Sequence, residues 1–324
     1  LRVPLDVAGF DLTVLASIGV AVATPNMNTT SLLRDADIAM YEAKRAGKGQ
    51  IRIFDPAMRM IATKHLEYRS ELGHALDEGQ LRLAYMPFVD MRTGEVRGAE
   101  ALVRWHHPQH GDISPTEFVP IAEHTGLIVP IGYWVLEEAL KQSSAWRPDA
   151  GLFVSINASL VQVRQPDFVE RVMSALERNR VEPQMLMVEM AERMLVEENE
   201  RAADAVAQLR AHGVRIAIDD FGAGHCSLSY LQRHPVDMIK IDRAFIDELG
   251  RDPLGNTLAR TILQMATSLD IRTVAEGIET TVQLRELRRL GCDLGQGYLL
   301  SRPLETAALA RRFGGTTTAV GAIV

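Results

Sequence analysis

The chain has 324 residues, 47% of them apolar and 24% charged, which is enough for a large core and fits an ordinary water-soluble protein. A net charge of −7 argues against a general nucleic-acid-polymer binder but not against a small anion held through metal ions. Cys226 and Cys292 form neither a CxxC pair nor a disulfide framework, and the longest apolar run, Leu12–Ala23, is too short and mixed to span a bilayer. A reducing, cytoplasmic setting with no membrane segment is therefore expected.

Residues 1–55 read as a small, incomplete α/β piece. Leu12–Ala23 predicts a strand. Leu32, Leu33, Ala36, Met40 and Ala43 recur at helical spacing, with Ser31 as N-cap and Gly47 as stop. One strand and one helix enclose little core. The chain opens on Leu1 rather than Met, so a longer protein with upstream domains is expected, itself membrane-tethered or not. Residues 56–78 predict a connecting helix, because Met58, Ile61, His65, Tyr68, Leu72 and Ala75 keep three-and-four spacing; His65 on that stripe reads as a packed histidine.

Over residues 79–312 strands and helices alternate. Candidate strands are Leu81–Phe88, Val96–Trp105, Leu152–Asn157, Met185–Met190, Val214–Asp219, Met238–Ile241, Ile271–Glu276 and Asp293–Tyr298. Ser114-Pro115-Thr116-Glu117 predicts a capping box, and Gly213 and Gly291 end amphipathic helices begun at Arg201 and Thr281. Eight strands alternating with helices predict an α/β fold, a TIM-type (β/α)8 barrel. The short Arg92–Glu95 connection favours an antiparallel first pair. Residues 313–324 are a tail, expected to be disordered.

The chemistry gathers at the strand ends. Val214, Ile216 and Ile218 lead directly into Asp219 and Asp220, followed by Gly222 and Gly224. Adjacent carboxylates repel and resist desolvation, and a divalent cation such as Mg²⁺ or Mn²⁺ relieves both costs. Glu100, Asn157, Glu189, Lys240, Glu276 and Gln296 close or approach the ends of other strands, which a barrel brings to one face. Glu100, Asn157, Glu189, Asp219 and Asp220 supply hard oxygens for two ions, with Asp219 able to bridge, and Lys240 is placed to orient water or neutralise a phosphoryl oxygen. His106, His107 and His110 do not read as a zinc site, because adjacent histidines point apart on an extended chain. His225 beside Cys226 lacks an orienting third group and reads as loop variation.

Two resemblances follow from these residues. Ala16-Ser17-Ile18-Gly19-Val20-Ala21 and Ala36-Asp37-Ile38-Ala39-Met40-Tyr41-Glu42-Ala43-Lys44 resemble the C-terminal third of a GGDEF (diguanylate cyclase) domain. The signature that names that family lies upstream of these motifs, so no cyclase activity is expected of this chain. Glu100-Ala101-Leu102-Val103-Arg104-Trp105 resembles the EAL signature. With it come Asn157-Ala158-Ser159, Glu189-Met190-Ala191-Glu192, Asp219-Asp220-Phe221-Gly222, Lys240-Ile241-Asp242, Ala275-Glu276-Gly277-Ile278-Glu279 and Gln296-Gly297-Tyr298, in order and with family-like spacing.

The EAL resemblance implies a phosphodiesterase that opens cyclic di-GMP to linear pGpG with two Mg²⁺ or Mn²⁺ ions. It implies metal ligation by Glu100, Asn157, Glu189, Asp219 and Asp220, with Glu276 nearby through water. Lys240 would position the water, and Glu192 would hold the loop after Asp220. Arg104, Gln296, Glu279 and the position of Met86 would meet the dinucleotide. A homodimer through the barrel and upstream GGDEF or sensory domains are expected partners. Three departures stand out: Met86 where the family commonly has Gln, Ala191 where it has Thr, and Gly222-Ala223-Gly224-His225-Cys226-Ser227 where Gly-Thr-Gly-Tyr-Ser-Ser is common. They leave a second reading, a cyclic di-GMP receptor that binds without turnover.

Overall fold

The computed structural model describes residues 5–7, 10–12, 16–25, 27–45, 49–146, 151–192, 194, 200–222, 231, 235–249 and 253–314. Gly47, the 223–227 loop with His225 and Cys226, the tail from 315, and the side chains of Ile61 and His65 lie outside the described residues. The chain divides into two units, Leu1–His74 and Ala75–Val324.

In the first unit β1 (Leu5–Val7) and β2 (Phe10–Leu12) form an antiparallel pair. β3 (Ile18–Val20) and β4 (Ile51–Ile53) form a parallel pair, joined through α1 (Thr29–Arg45). The strand predicted over Leu12–Ala23 is thus only partly strand. α1 also begins earlier than Ser31 predicts, because the Asn28 side chain accepts from the Ser31 amide at 2.8 Å and caps the helix. Asp35, fully buried on α1, accepts from Arg59 at 2.6 and 2.7 Å. Arg59 lies on α2 (Pro56–Ala75), whose start Asp55 caps through Ala57 N.

The second unit is the predicted barrel. β5 (Leu81–Asp90) and β6 (Val96–His107) form an antiparallel hairpin. β7 (Gly111–Ile113) adds to β6 beyond the barrel. α3 (Pro115–Thr125) and α4 (Ile128–Ser144) lead to β8 (Phe153–Asn157), and α5 (Leu160–Val163) with α6 (Phe168–Asn179) to β9 (Leu186–Ala191). α7 (Glu200–Ala211) precedes β10 (Arg215–Phe221) and then β11 (Met238–Ile241). α8 (Arg243–Asp247) and α9 (Pro253–Ser268) precede β12 (Arg272–Ala275), and α10 (Thr281–Leu290) precedes β13 (Leu294–Gly295). β14 (Leu304–Glu305) and α11 (Thr306–Gly314) finish the fold.

The ring closes in the order β5, β6, β8, β9, β10, β11, β12, β13 and back to β5. β6 and β8–β13 run parallel to their ring neighbours among themselves, whereas β5 is antiparallel to both β6 and β13. The first strand is therefore inverted. Sequence reading missed β7 and β14, strands of three and two residues that are too short to show a period. Ser114 caps α3 by accepting from Thr116 N at 3.3 Å, while Glu117 N goes to the Ser114 carbonyl, so this is a single cap rather than the predicted reciprocal box. Ser159 with Gln162 and Thr280 with Gln283 form the true boxes.

Inside the ring Phe88, Phe153, Met187, Ala217, Met238, Val274 and Leu294 form one apolar cluster, with the two phenylalanine rings 5.0 Å apart. Burying each large side chain here contributes about 1.5–3 kcal/mol. Strand side chains alternate in direction, so the residue two positions further along each strand faces the same interior. Apart from Met86 on β5, the residues one such step toward the C-terminal mouth are polar.

Candidate active site

Stepping two residues toward the C-terminal mouth converts the apolar cluster into the site. Met187 gives Glu189, Ala217 gives Asp219, Met238 gives Lys240, Val274 gives Glu276 and Leu294 gives Gln296. On the inverted β5 the step runs backward, from Phe88 to Met86, whose register partner is Glu100. The period-2 geometry of strands thus turns a dry floor into a ring of ionisable groups.

Lys240, 1% exposed, is the hub. Its Nζ lies 2.6 Å from Glu189 Oε2, 2.7 Å from Glu276 Oε1, 3.1 Å from Asp219 Oδ1 and 3.3 Å from Glu100 Oε2. Asn157 Nδ2 donates to Glu100 Oε1 at 2.8 Å. Gln296 Nε2 donates to Glu100 Oε2 at 3.3 Å and to the Met86 carbonyl at 3.2 Å. Asp219, Asp220 and Glu276 each turn a carboxylate oxygen to within 4.8 Å of the others.

The Asp pair stands on bent backbone. The β10–β11 register breaks between Ile218 and Phe221, and Asp220 has φ +53°. A bulge re-aims side chains next to it, which lets two successive residues serve one site instead of pointing to opposite faces. Gly222 follows with φ +97°, and an added Cβ there would meet Phe245 at 2.7 Å. Its amide donates to Glu192 Oε2 at 2.7 Å, and the Glu192 amide donates to the Asp219 carbonyl at 3.1 Å. Glu192 is therefore tied to both sides of Asp220.

Carboxylates outnumber ammonium groups here, and the proton affinities respond. Burial pushes Glu189 well above the ordinary carboxylate range, and Glu100 pushes it further against the pull of Lys240. Glu276 is raised to about 7 by burial, with Asp219 and Glu100 adding to it. Asp220 is raised to about 6 by partial desolvation, then by Asp219 and Asp242. Burial opposes the charge on Lys240, but Glu100, Glu189, Glu276 and Asp219 outweigh it and hold the ammonium firmly protonated.

The residues present suit divalent cations. Glu189 Oε1 is buried without a hydrogen-bond partner among the described residues, and buried Asp219 Oδ1 lies near Lys240 without a hydrogen bond to it. Orphaned hard oxygens beside further carboxylates are the donor set that Mg²⁺ or Mn²⁺ takes.

The other sequence candidates lie around this centre. Arg104, half-buried four residues beyond Glu100 on β6, donates to the Val103 carbonyl at 2.9 Å and is within electrostatic reach of Tyr298 and Glu100. Met86 is buried. Glu279 stands apart from Lys240 and pairs with Arg243 at 2.9 Å. His106 turns outward to Asp112 at 2.8 Å, while buried His107 packs edge-on against Trp105, so the two point apart. Sequence reading gave no role to Asp242, which touches Asp220 and caps α8 through Ala244 N; its place two residues after Lys240 was the available signal.

Comparison with known proteins agrees with this architecture. The EAL domain family matches residues 69–303, and the diguanylate cyclase GGDEF domain family matches residues 1–50. The bifunctional diguanylate cyclase/cyclic di-GMP phosphodiesterase MucR of Pseudomonas aeruginosa is 40% identical over 309 residues, covering 94% of this chain and 45% of MucR. The cyclic di-GMP phosphodiesterase PdeR of Escherichia coli is 35% identical over 314 residues, covering 96% of this chain and 47% of PdeR. The chain thus spans less than half the length of these relatives. The solved structure of the MucR phosphodiesterase in complex with c-di-GMP superposes with a TM-score of 0.72 at 42% identity, covering 75% of this chain and 99% of that one.

Proposed function

The chain belongs to the EAL domain family and carries a GGDEF fragment at residues 1–50, and from that premise we propose that it hydrolyses cyclic di-GMP to linear pGpG. The observation that carries the reading is the ring of Glu100, Glu189, Asp219 and Glu276 around the buried Lys240 ammonium, with Asp220 and Asn157 at its edge. MucR and PdeR, named for this activity, support the choice of substrate.

In this reading Glu100, Asn157, Glu189, Asp219 and Asp220 would hold two cations, Mg²⁺ or Mn²⁺. Bound there, the ions supply Lewis-acid polarisation of the phosphodiester and a lowered water pKa. Lys240, held protonated, cannot act as a base; it donates a hydrogen bond that orients the attacking water or a phosphoryl oxygen. Glu276, 2.7 Å from the Lys240 ammonium, is the carboxylate placed to take the water's proton. The water oxygen bonds to phosphorus, the P–O3′ bond breaks, and a proton ends on the 3′ oxygen. The products are a 5′-phosphate and a 3′-hydroxyl on one linear dinucleotide. Glu192 holds Gly222 and so fixes the backbone on which Asp220 stands.

The test is incubation of the purified chain with cyclic di-GMP and Mg²⁺, Mn²⁺ or chelator, followed by chromatography. Metal-dependent pGpG is the expected result. Saturable binding without product would replace this reading with that of a receptor.

A further inference from the structure

Three arginines meet at the end of the barrel opposite the mouth. Arg210 lies in the last turn of α7, Arg215 opens β10 and Arg272 opens β12. With Asp237 and Asp270 they line a cavity of about 560 Å³, whose wall Met187 and Met238 complete. Those two methionines belong to the apolar cluster inside the ring, so the cavity sits directly beneath it. Arg215 shares a strand face with Ala217 and Asp219, and Arg272 shares one with Val274 and Glu276. The same strands therefore carry carboxylates at one end and guanidinium groups at the other, four residues or roughly 13 Å apart.

The charges at this second end are not matched in pairs. Arg210 holds Asp237 at 3.1 Å, and Asp237 Oδ2 also accepts from Ile216 N at 2.8 Å. Among the described residues neither Arg215 nor Arg272 makes a salt bridge, with Asp270 or with any other carboxylate. Arg215 is half-buried, and its guanidinium lies over the Phe153 ring, 5.5 Å from the centroid. Burial, and then the like charge of Arg272, lowers its proton affinity against the pull of Asp237. Two neighbouring guanidinium groups on a cavity wall, one of them fixed on an aromatic face, lack the planar or tetrahedral oxyanion that their forked donors fit. An anion there would relieve their mutual repulsion, in a chain whose net charge is otherwise −7.

We propose that Arg215 and Arg272 form a phosphoryl-binding site at the barrel end opposite the carboxylate ring, taking free phosphate or the phosphate of a small ester. The cavity falls in the roughly 300–1,000 Å³ range of small-molecule sites, which leaves room for an organic group on the phosphate. The site needs no metal and shares no residue with the carboxylate ring, so it stands or falls apart from the phosphodiesterase reading. Losing a charge-assisted hydrogen-bond donor corresponds to about 10- to 150-fold in affinity where the donor is partly buried, and to less where it is exposed.

The experiment is equilibrium dialysis of the full chain against radiolabelled inorganic phosphate and against ribose 5-phosphate, in chelator and at constant ionic strength. Without metal the carboxylates of the mouth repel phosphate, so binding there is not expected. Saturable binding is expected of the parent. Arg215→Gln should weaken it by at least about 10-fold and the more exposed Arg272→Gln by at least about 3-fold, with Arg215→Lys, which keeps the charge but not the fork, between Gln and the parent. Asp270 opposes an anion from the cavity wall, so Asp270→Asn should tighten binding by about 2- to 5-fold; asparagine accepts the φ of +55° at this position. Arg285→Gln, exposed on α10, should change nothing. Tighter binding of the ester would assign the site to a phosphorylated small molecule, and equal binding to free phosphate. No saturable binding, or binding that Arg215→Gln and Arg272→Gln leave unchanged, would overturn the proposal. Should Arg215→Gln fail to fold, Arg272→Gln and Asp270→Asn, both at exposed positions, still decide it.

Discussion

Lys240 Nζ lies 2.6 Å from Glu189 Oε2, and the two side chains are 1% and 0% exposed. This is a buried ion pair that does not neutralise its surroundings, because Glu100, Asp219 and Glu276 share the same ammonium. The cluster therefore carries an excess of negative charge that a bound cation would offset.

Replacing the ammonium exposes that imbalance. Lys240→Met is expected to destabilise the metal-free protein by about 3–5 kcal/mol at pH 8, the cost of leaving buried carboxylates uncompensated. The loss should shrink at pH 5.5, below the value of about 7 to which Glu276 is raised. Urea unfolding in chelator at the two pH values measures both. An equal loss at each pH would show that packing of the lysine stem, not charge, is what matters.

The pH dependence of metal binding has a definite sign. Glu276, near 7, and Asp220, near 6, lie above the ordinary carboxylate range in the folded protein. Between the unfolded and folded values the folded state binds more protons, so the contribution of these groups to metal-free stability falls as pH rises through about 4–7. A cation must displace those protons, so its affinity rises over the same window. The Tm increase given by saturating Mn²⁺ is expected to grow from pH 5.5 to pH 8. A constant increment would place the metal elsewhere.

Glu100→Ala is expected to abolish turnover, lowering it by at least about 100-fold, since the change removes a hard oxygen together with the acceptor of the Asn157 and Gln296 side-chain amides. Steady-state hydrolysis and Mn²⁺ titration calorimetry should fall in parallel. Parental activity would refute the assignment of metal ligands.

Glu192→Ala takes the acceptor from the Gly222 amide. We expect a stability loss of about 1–3 kcal/mol and a 10- to 100-fold loss of turnover. Glu192→Gln should recover much of the stability, because an amide oxygen still accepts that hydrogen bond. Thermal melts and hydrolysis assays on the pair separate positioning from charge.

Much of this was legible in sequence because strands repeat at period two. An apolar residue followed two places later by a polar one, as in Met187/Glu189, Met238/Lys240 and Val274/Glu276, encodes both a filled barrel and a polar mouth. The inversion of β5 was legible in the short Arg92–Glu95 turn, where Asp90 Oδ1 accepts from Arg92 N and Thr93 N. Other features had no local signal. β7 and β14 are defined by their partners on β6 and β5 rather than by their own residues. The bulge at Asp220 is a mismatch between two strands, which neither sequence alone displays. That Lys240 touches four carboxylates depends on distances set by ring closure across five strands.

The inverted strand also changes where the chain enters the barrel. In a regular (β/α)8 ring the first strand starts at the floor, away from the chemistry. Here β5 starts level with the far end of β6, with Leu81 opposite Trp105. Just before it, Gln80 is stitched to that end, its side chain accepting from the Trp105 indole at 2.8 Å and its carbonyl accepting from His106 N at 2.9 Å. The incoming backbone therefore joins the barrel at the rim, hydrogen-bonded to the strand that carries Glu100 and Arg104.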